Sequence, residues 1–497
     1  MKQKYILAID QGTTSSRAFI FDNQGKVVGS AQKEFKQYFP KPGWVEHDVD
    51  EIWASCVAVI KQALLRNRIN PKEILTIGIT NQRETTVLWD RKTSKPIARA
   101  IVWQCRRTAP MCDALRKRGL AQTFRQKTGL VLDAYFSGTK IKWLLDNTPG
   151  LRARAHKGQI AFGTIDSWLI WKLTGGKSHI TDATNASRTL LFDIRKLHFD
   201  PDILKILSIP REILPQVQNS GSLFGKTASG AAGLLEGIPI TGVMGDQQAA
   251  LYGQGCYTPG TIKNTYGTGC FLVLNTGHQL IYSNKGLLST IACDDQGKPV
   301  YALEGSVFVA GAAIQWLRDQ LKILKTAGES ESAVRNISNT NGVYFVPAFT
   351  GLGAPYWNSR ARGLIAGLTR GATAAHITRA ALESIAYQTK DVFEIMQKAL
   401  GKPIAELKVD GGACKNNFLM QFQADMLNCK IIRPKVVEST AQGVAHLAGV
   451  AIGLWRGKED LKKLHIAEKI FSPDMPVARQ KKLYQGWQAA VKRTLIP

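Results

Sequence analysis

The stretch YILAIDQGTTSSRAFIFDNQGKVVG, residues 5–29, decides the fold of this chain. Apolar runs at 5–9 and 18–21 are bounded by turn residues, so each is predicted to be a β-strand. Gly12 between them lets the backbone turn, and the N–H groups and hydroxyls that follow it can donate to an anion. The pattern is typical of a phosphate-binding hairpin and also of an ordinary surface hairpin, and both interpretations stay open at this point.

Two charged side chains give this hairpin the chemistry of a site for a metal and a phosphate. Asp10 stands at the end of the first predicted strand, where its carboxylate can hold Mg²⁺ directly or through water. Arg17 adds a guanidinium to the hydroxyls of the turn. A third strand is predicted at 26–30, after a second turn.

Length and charge restrict the class of protein. The 497 residues predict two or three domains, and the content of 44% hydrophobic and 21% charged residues is that of a globular protein. The formal net charge is +27, but Lys and Arg are scattered along the chain and form no nucleic-acid recognition motif. We therefore expect a cationic surface that attracts anionic substrates, and no specific nucleic-acid partner.

The cysteines and the N-terminus indicate a compartment. The eight cysteines form no C-x-x-C pair and no metal-ligand spacing, which favours reduced thiols in a cytoplasmic protein. Only five apolar residues precede Asp10, too few for a signal peptide, and no run approaches the roughly 18 apolar residues of a membrane span. Secretion and a membrane span are not expected.

Polar residues follow a second buried strand, predicted at 74–80. Arg83 and Glu84 can together satisfy hydroxyl groups, which both donate and accept, so they form a candidate polyol clamp. The alternative is a surface ion pair. Trp103 is either an apolar wall for the carbon atoms of a polyol or a core residue.

A third strand, predicted at 239–244, leads into Gly245, Asp246 and Gln247 before a helix. Asp246 thus has the position of an active-site carboxylate, at a strand's carboxyl end beside a helix N-terminus, or of a simple N-cap. We predict a boundary just beyond, with an N-terminal domain at 1–254 and a C-terminal domain at 255–497.

The second half of the chain repeats the pattern of the first. A strand at 261–265 leads into a glycine-and-hydroxyl turn at 266–271, roughly 250 residues after the first hairpin, which predicts two structurally related domains. Residues 407–413 read as strand, glycine turn and helix, and the bare glycines permit close approach of a flat ligand such as adenosine. The stretch NSGSLFGKT at 219–227 is one residue short of a Walker A loop and is rejected as one.

Eight motifs in order give the chain a resemblance to the FGGY family of carbohydrate kinases over essentially its whole length. They are DQGTTSSR, NQRETT, YFSGTKIKW, GDQQAAL, YGTGC, GLGAPYW, ARGLIAGLTRG and VDGGACKNNFLMQFQ. The resemblance implies an α/β fold of two ribonuclease-H-like domains, of the actin and hexokinase type, with a cleft between them.

The resemblance also implies the residues of the sites. The implied polyol-binding residues are Arg83, Glu84, Trp103, Tyr135, Asp246, Gln247 and Phe271. The implied nucleotide-binding residues are Thr13, Thr14, Ser15, Arg17, Thr268, Gly311, Gln315, Gly412 and Asn416. Asp10 and Asp246 would lie near Mg²⁺.

The activity that the resemblance implies is transfer of the γ-phosphoryl group of ATP to a terminal hydroxyl of glycerol, the first step of glycerol catabolism. Asp246 would be the general base, and the implied assembly is a homodimer or homotetramer. Glu236 and Gly237 stand where some bacterial members carry a basic effector loop, so we expect weak or absent control by sugar bisphosphates. The alternatives are a kinase for another polyol or sugar and an actin-like ATPase that drives assembly. The Arg83 and Glu84 clamp discriminates between them, because a filament ATPase needs no polyol site.

Overall fold

The computed structural model describes residues 4–283, 285–358, 360–436 and 438–495. The chain divides into two compact units. The first comprises Met1–Tyr257, Ser289–Tyr301 and Ser439–Leu464, and the second comprises Thr258–Leu288, Ala302–Glu438 and His465–Pro497. The division into domains at residues 254 and 255 stays a prediction.

A mixed six-stranded sheet is the framework of the first unit. Its order is Gly225–Lys226, Pro239–Gly245, Ile74–Asn81, Tyr5–Gln11, Ser15–Asp22 and Val27–Glu34. The three central strands are parallel, and the strands from Tyr5 to Glu34 are joined by antiparallel hairpins. The predicted strands of the opening stretch are confirmed and extend by one to four residues at most of their ends.

Helices cover both faces of this sheet because its central strands are apolar on both sides. Leu7 and Ile9 face a cluster that includes the helix Val49–Arg66, whereas Ile6 and Ala8 face the helix Ser439–Ala451. A Cβ on Gly78 would lie 2.5 Å from a carbonyl oxygen of that second helix, so glycine is what allows the helix to approach the sheet closely.

The first helix has a different N-cap from the predicted one. The sequence predicts a helix over about 51–65 with Asp50 as its cap. In the structure Asp48 accepts from the backbone N–H groups of Asp50 and Glu51, and Asp50 lies in the first turn. Asp48 and Asp50 fit the cap equally well by residue type, and the backbone of Asp48 has the extended conformation that a cap requires.

The second sheet has seven strands. Their order is Leu288–Cys293, Pro299–Val307, Cys270–Gly277, Ile262–Tyr266, Glu406–Asp410, Lys430–Pro434 and Ala467–Phe471. The predicted second hairpin is confirmed: Ile262–Tyr266 pairs antiparallel with Cys270–Gly277. Ile262–Tyr266 also pairs parallel with Glu406–Asp410. The last five strands of this order belong to the second unit. So does the helix Ala374–Leu400, which the apolar period of the sequence predicts and whose C-cap, Gly401, has a φ of 74°.

Smaller elements complete the two units. Short strand pairs are Glu46–His47 with Ala100–Ile101, Val87–Asp90 with Ile160–Gly163, Ile180–Asp182 with Gln216–Gln218, Phe192–Asp193 with His198–Phe199, and Tyr344–Val346 with Leu364–Ala366. The remaining α-helices are Ala109–Lys117, Ala121–Thr128, Ser137–Asn147, Leu151–His156, Ile165–Leu173, Ala183–Ala186, Pro201–Leu207, Asp246–Gly253, Gly311–Asp319, Glu329–Ala333, Asn417–Leu427, Lys458–Leu464 and Val477–Leu495. Within the described ranges, no helix has the length and hydropathy needed to cross a membrane.

Candidate active site

The three parallel strands of the first sheet bring their carboxyl ends to one edge. Asp10 pairs in register with Thr80, and Gly245 pairs with Asn81. The polar residues that end these strands or follow them directly are therefore neighbours, although they come from three distant parts of the chain. Ligand sites of α/β sheets form at such an edge.

Arg83 is buried at this edge and contacts the carboxylate that follows the third strand. Its Nε lies 3.0 Å from Oδ1 of Asp246, and its Nη1 donates to Oε1 of Gln248 at 3.2 Å. A Cβ on Gly245 would lie 2.7 Å from the Arg83 side chain, so the glycine makes room for it. The Asp246 side chain is 34% exposed, which leaves part of the carboxylate accessible to a ligand.

Asp246 is not the N-cap of the helix that it begins. The helix runs over Asp246–Gly253 and its N-cap is Gly245. Oδ1 of Asp246 accepts from the backbone N–H of Gln247 at 2.7 Å. The capping interpretation of Asp246 is therefore wrong, and the side chain faces Arg83 instead.

Glu84 is buried and held on several sides. Its Oε1 accepts from Nε of Arg188 at 2.6 Å and lies 3.9 Å from Nε of Arg83. Its backbone has a φ of 60°, a left-handed conformation that costs a residue with a Cβ about 1 kcal/mol or more. A surface ion pair is excluded for Arg83 and Glu84, because the side chain of each is only 2% exposed.

The helix Ser137–Asn147 supports Glu84 from behind. Oγ of Ser137 donates to the Glu84 carbonyl at 3.0 Å, and the fully buried Lys140 donates from Nζ to the Tyr135 carbonyl at 2.6 Å. Burial lowers the pKa of Lys140 to about 8. The sequence predicts either Ser137 or Thr139 as the cap of this helix, and that prediction is wrong, since Phe136 is the N-cap and no side chain makes a capping bond.

Two half-buried aromatic rings form a wall beside these polar groups. The rings of Trp103 and Tyr135 meet edge to face at 5.5 Å, and Nε1 of Trp103 donates to Oγ1 of Thr13 at 3.0 Å. Trp103 is thus tied to the turn of the first hairpin. A wall of this kind can cover the carbon atoms of a small polyol.

The first hairpin presents paired charges rather than hydroxyls alone. Asp10 stands opposite Arg17, and their side chains approach to 2.6 Å. Gly12 donates its N–H to the carbonyl of Ser15 at 2.9 Å, which closes the turn. Thr14 is exposed at the turn.

The donor set at this edge fits Mg²⁺ as a partner of substrate phosphates. Mg²⁺ in phosphoryl-transfer enzymes uses one or two carboxylates plus phosphate oxygens and water, and Asp10 and Asp246 supply two carboxylates at the same edge. Among the described residues no group of three or more His, Cys, Asp and Glu side chains could hold a metal by itself. Glu46, His47 and Asp48 follow one another in the chain but do not form a metal site, because His47 bonds to Gln37 and Asp48 caps a helix.

Two of the predicted nucleotide residues of the second unit, Thr268 and Gly311, lie at the turn of its hairpin. Backbone N–H groups of Ala310 and Ala312 donate to the Thr268 carbonyl at 2.8 and 3.1 Å, and the Gly311 N–H donates to Gly267 at 3.0 Å. The start of the helix Gly311–Asp319 is therefore packed on the hairpin turn. Gln315 is exposed on this helix, and Phe271 is half-buried in the hairpin strand.

Two glycines follow the neighbouring parallel strand. Gly411 has a φ of 86°, and a Cβ there would lie 2.5 Å from the Tyr266 carbonyl. A Cβ on Gly412 would have no atom within 4 Å, so Gly412 faces open space. Asn416 caps the next helix through Leu419 and donates to Oγ of Ser330.

Three neighbours of the candidate site residues are absent from the sequence predictions: Arg188, Thr184 and Gln248. Arg188 lies on Glu84, Oγ1 of Thr184 accepts from the Gly245 N–H, and Gln248 lies on Arg83. Their only sign in the sequence is polar residues placed between apolar segments, which is also the sign of a loop.

Comparisons with known proteins identify relatives along the whole chain. Family models for the FGGY family of carbohydrate kinases match at residues 5–253 for the N-terminal domain and 262–452 for the C-terminal domain. A glycerol kinase of Desulfitobacterium hafniense is 56% identical over 494 residues, covering 99% of this chain and all of the relative. A glycerol kinase of Thermoanaerobacter sp. (strain X514) is 57% identical over 492 residues, covering 99% of each chain. The crystal structure of Plasmodium falciparum glycerol kinase with ADP superposes with a TM-score of 0.93 at 39% identity, covering 100% of this chain and 99% of that one.

Proposed function

We propose a mechanism for the reaction that this member of the FGGY family of carbohydrate kinases catalyses, the ATP-dependent phosphorylation of glycerol. The chain belongs to that family and has its two-domain α/β fold. The observation that carries the mechanism is the contact of 3.0 Å between Arg83 and Asp246 beside the buried Glu84. It supports a partly exposed carboxylate next to a pair of side chains that can bind hydroxyls.

Asp246 is the proposed general base. Its carboxylate takes the proton of a terminal hydroxyl as the oxygen attacks the γ-phosphorus of ATP and the bond from that phosphorus to the bridging oxygen breaks. The products are sn-glycerol 3-phosphate and ADP. Arg83 fixes the position of Asp246, and the 34% exposure of the carboxylate leaves room for the hydroxyl.

Glycerol binds, in this proposal, against the polar pair and the aromatic wall. Arg83 donates to hydroxyl oxygens and Glu84 accepts from hydroxyl protons. Trp103 and Tyr135 cover the carbon atoms, which their edge-to-face contact at 5.5 Å supports. Gln247 and Phe271 complete the proposed set on the ground of the family resemblance.

ATP binds, in this proposal, through both glycine hairpins. The donors of the first hairpin are Thr13, Thr14, Ser15 and Arg17. The second group is Thr268, Gly311, Gln315, Gly412 and Asn416, and the open space at Gly412 supports close approach of a flat ring. When bound, Mg²⁺ neutralises phosphate charge, and Asp10 and Asp246 would hold it.

The proposed location of the protein is the cytoplasm. All eight cysteines are free thiols, which supports a reducing compartment such as the cytoplasm. The proposed assembly is a homodimer or homotetramer, which sedimentation velocity would measure.

A coupled assay of ADP release tests the function. We expect glycerol to accelerate ATP turnover far above the rate with water alone, and a panel of other polyols and sugars to give lower kcat/KM values. A higher kcat/KM for another polyol would reassign the substrate. An ATP turnover that is the same with and without glycerol, together with filaments in ATP, would favour the actin-like ATPase.

A further inference from the structure

The segment DATNASR, residues 182–188, has an unusual density of buried polar side chains. Its five polar members with no exposed surface are Asp182, Thr184, Asn185, Ser187 and Arg188. Polar groups are retained in a protein interior when each has a partner, because an unpaired one costs about 1–3 kcal/mol. The hydrogen-bond partners of these side chains therefore indicate the role of the segment.

Asp182 shapes the segment itself. Its carboxylate accepts from the backbone N–H groups of Thr184 and Asn185 at 2.9 Å, from Nδ2 of Asn185 at 2.9 Å and from Oγ of Ser220 at 2.7 Å. These bonds fix the short helix Ala183–Ala186 and the direction in which the following side chains leave it.

Three of the following side chains reach three different parts of the active-site edge. Oγ1 of Thr184 accepts from the N–H of Gly245 at 2.9 Å, directly before Asp246. Asn185 exchanges two side-chain bonds with Asn81, of 3.0 and 3.1 Å. Arg188 donates from Nε to Oε1 of Glu84 at 2.6 Å.

Asp246 and Glu84 thus differ in the arginine that lies closest to each. Arg83 lies 3.0 Å from Asp246 and 3.9 Å from Glu84, whereas Arg188 lies 2.6 Å from Glu84. A carboxylate as buried as Glu84 has lost its water and requires a charged partner to stay ionised as a hydrogen-bond acceptor. Arg188 meets that requirement and also selects the orientation of the carboxylate.

We propose that residues 182–188 are the positioning element of the active site, in which Arg188 orients Glu84 for glycerol binding and Thr184 orients Asp246 for proton transfer. The inference rests on the proposed function. It assigns two positioning residues that act through different site residues, so it predicts two separable kinetic effects.

Arg188→Met should weaken glycerol binding more than it slows the reaction. A hydrogen bond to a charged group is lost at a residue that holds the ground-state hydroxyls, so we expect KM for glycerol to rise about 10- to 100-fold with kcat changed less than about threefold. Arg188→Lys keeps the charge and loses the planar donor geometry, so its KM for glycerol should lie between that of the wild type and that of Arg188→Met.

Thr184→Val should have the opposite signature. Valine has nearly the shape of threonine but cannot accept from the Gly245 N–H, so the start of the helix that carries Asp246 shifts. We expect kcat to fall about 5- to 20-fold and KM for glycerol to change less than about twofold.

Matched controls separate positioning from general destabilisation. Arg379 and Glu383 form another buried arginine–glutamate pair, at 2.8 Å within the helix Ala374–Leu400, and Thr174 is another buried threonine, which donates to Ile170. Arg379→Met and Thr174→Val should lower the melting temperature without either kinetic signature.

The deciding experiment is a double-mutant cycle with steady-state kinetics and calorimetric glycerol binding on the full-length protein. In a Glu84→Gln background, Arg188→Met should add little to the loss of glycerol affinity, because Arg188 acts through Glu84. Full additivity, or an equal KM increase in Arg379→Met, would overturn the inference. If Arg188→Met is not recovered folded, a wild-type KM in Arg188→Lys overturns it and a raised KM supports it. A wild-type enzyme that does not phosphorylate glycerol would instead refute the proposed function.

Discussion

The hairpins of the two units are each closed by a glycine N–H, across three residues in the first and two in the second, and they present different chemistry. In the first unit the Gly12 N–H donates to Ser15, and in the second the Gly267 N–H donates to Gly269, each at 2.9 Å. Beside the first turn, Asp10 and Arg17 carry opposite charges 2.6 Å apart. Beside the second turn, glycines at 311 and 411 approach the hairpin backbone so closely that a Cβ on either would lie 2.5 Å from a carbonyl oxygen.

A glycine hairpin beside a parallel strand can therefore support two kinds of site, one built from charged side chains and one built from bare backbone. An edge with buried, paired charges holds groups in fixed positions for proton and phosphoryl transfer, since preorganised charges do not have to reorient during the reaction. An edge of bare backbone offers N–H groups and space, which suits a ligand that must lie close to the chain. Substitution of Asp246 at the first edge should therefore change kcat, whereas substitutions at the second edge should change nucleotide affinity.

The largest expected effect is at the charged edge. Asp246→Asn keeps the shape of the side chain but removes the proton acceptor, which typically costs about 10²- to 10⁴-fold in kcat. Glycerol affinity should fall less, because Arg83 and Glu84 still hold the hydroxyls. Steady-state kinetics and calorimetry of the variant measure both quantities.

Asp48→Asn is the control for that substitution. Asp48 caps the helix Val49–Arg66 of the same unit, and asparagine caps a helix about as well as aspartate. We expect its kcat to stay near the wild-type value. A near-normal kcat in Asp246→Asn would remove this carboxylate from the mechanism and with it the contrast between the two edges.

The sequence predicts the plan of both edges but not the interior behind them. Local patterns are sufficient for the hairpins, for the strand that ends at Asp246 and for the helix Ala374–Leu400, because apolar period and glycine placement are local properties. Contacts such as Arg188 with Glu84 join residues 104 positions apart. No local pattern specifies such a partner, so the sequence around Arg188 does not distinguish a buried arginine from an arginine in a surface loop.

The second expected effect concerns stability and pH. Burial and, to a smaller extent, the charge of nearby Asp182 together raise the pKa of Asp166 in the first unit to about 7. The second unit has a comparable group: burial raises the pKa of Asp391 to about 6, while donors from Tyr484, Trp487 and Tyr356 oppose the rise. Both carboxyls bind protons more tightly in the folded chain than in the unfolded chain.

The sign of the pH effect follows from that difference. Between pH 4 and pH 7 the folded protein holds a proton on Asp166 that the unfolded chain has released, so the free energy of unfolding falls as pH rises through this window. From pH 5 to pH 8 the loss attributable to Asp166 is about 2–3 kcal/mol. Asp166→Asn should remove that part of the slope, as measured by urea unfolding at a series of pH values. An unchanged slope in the variant would show that Asp166 titrates alike in both states.

The smallest expected effect is at the glycine edge. Gly412 has open space around its missing Cβ, so Gly412→Val should leave the melting temperature unchanged. If the nucleotide lies against this backbone, the added side chain occupies its place, and we expect KM for ATP to rise about tenfold, which corresponds to about 1.4 kcal/mol, with KM for glycerol unchanged.

Gly411→Ala is the structural counterpart: its φ of 86° and the Tyr266 carbonyl at 2.5 Å should cost about 1–3 kcal/mol of stability. Gly328→Val, at an exposed position with a φ of −64°, is the control that should change neither. A wild-type KM for ATP in Gly412→Val would mean that the bare backbone of the second edge serves packing alone, because an open position that tolerates valine without loss of affinity has no ligand against it.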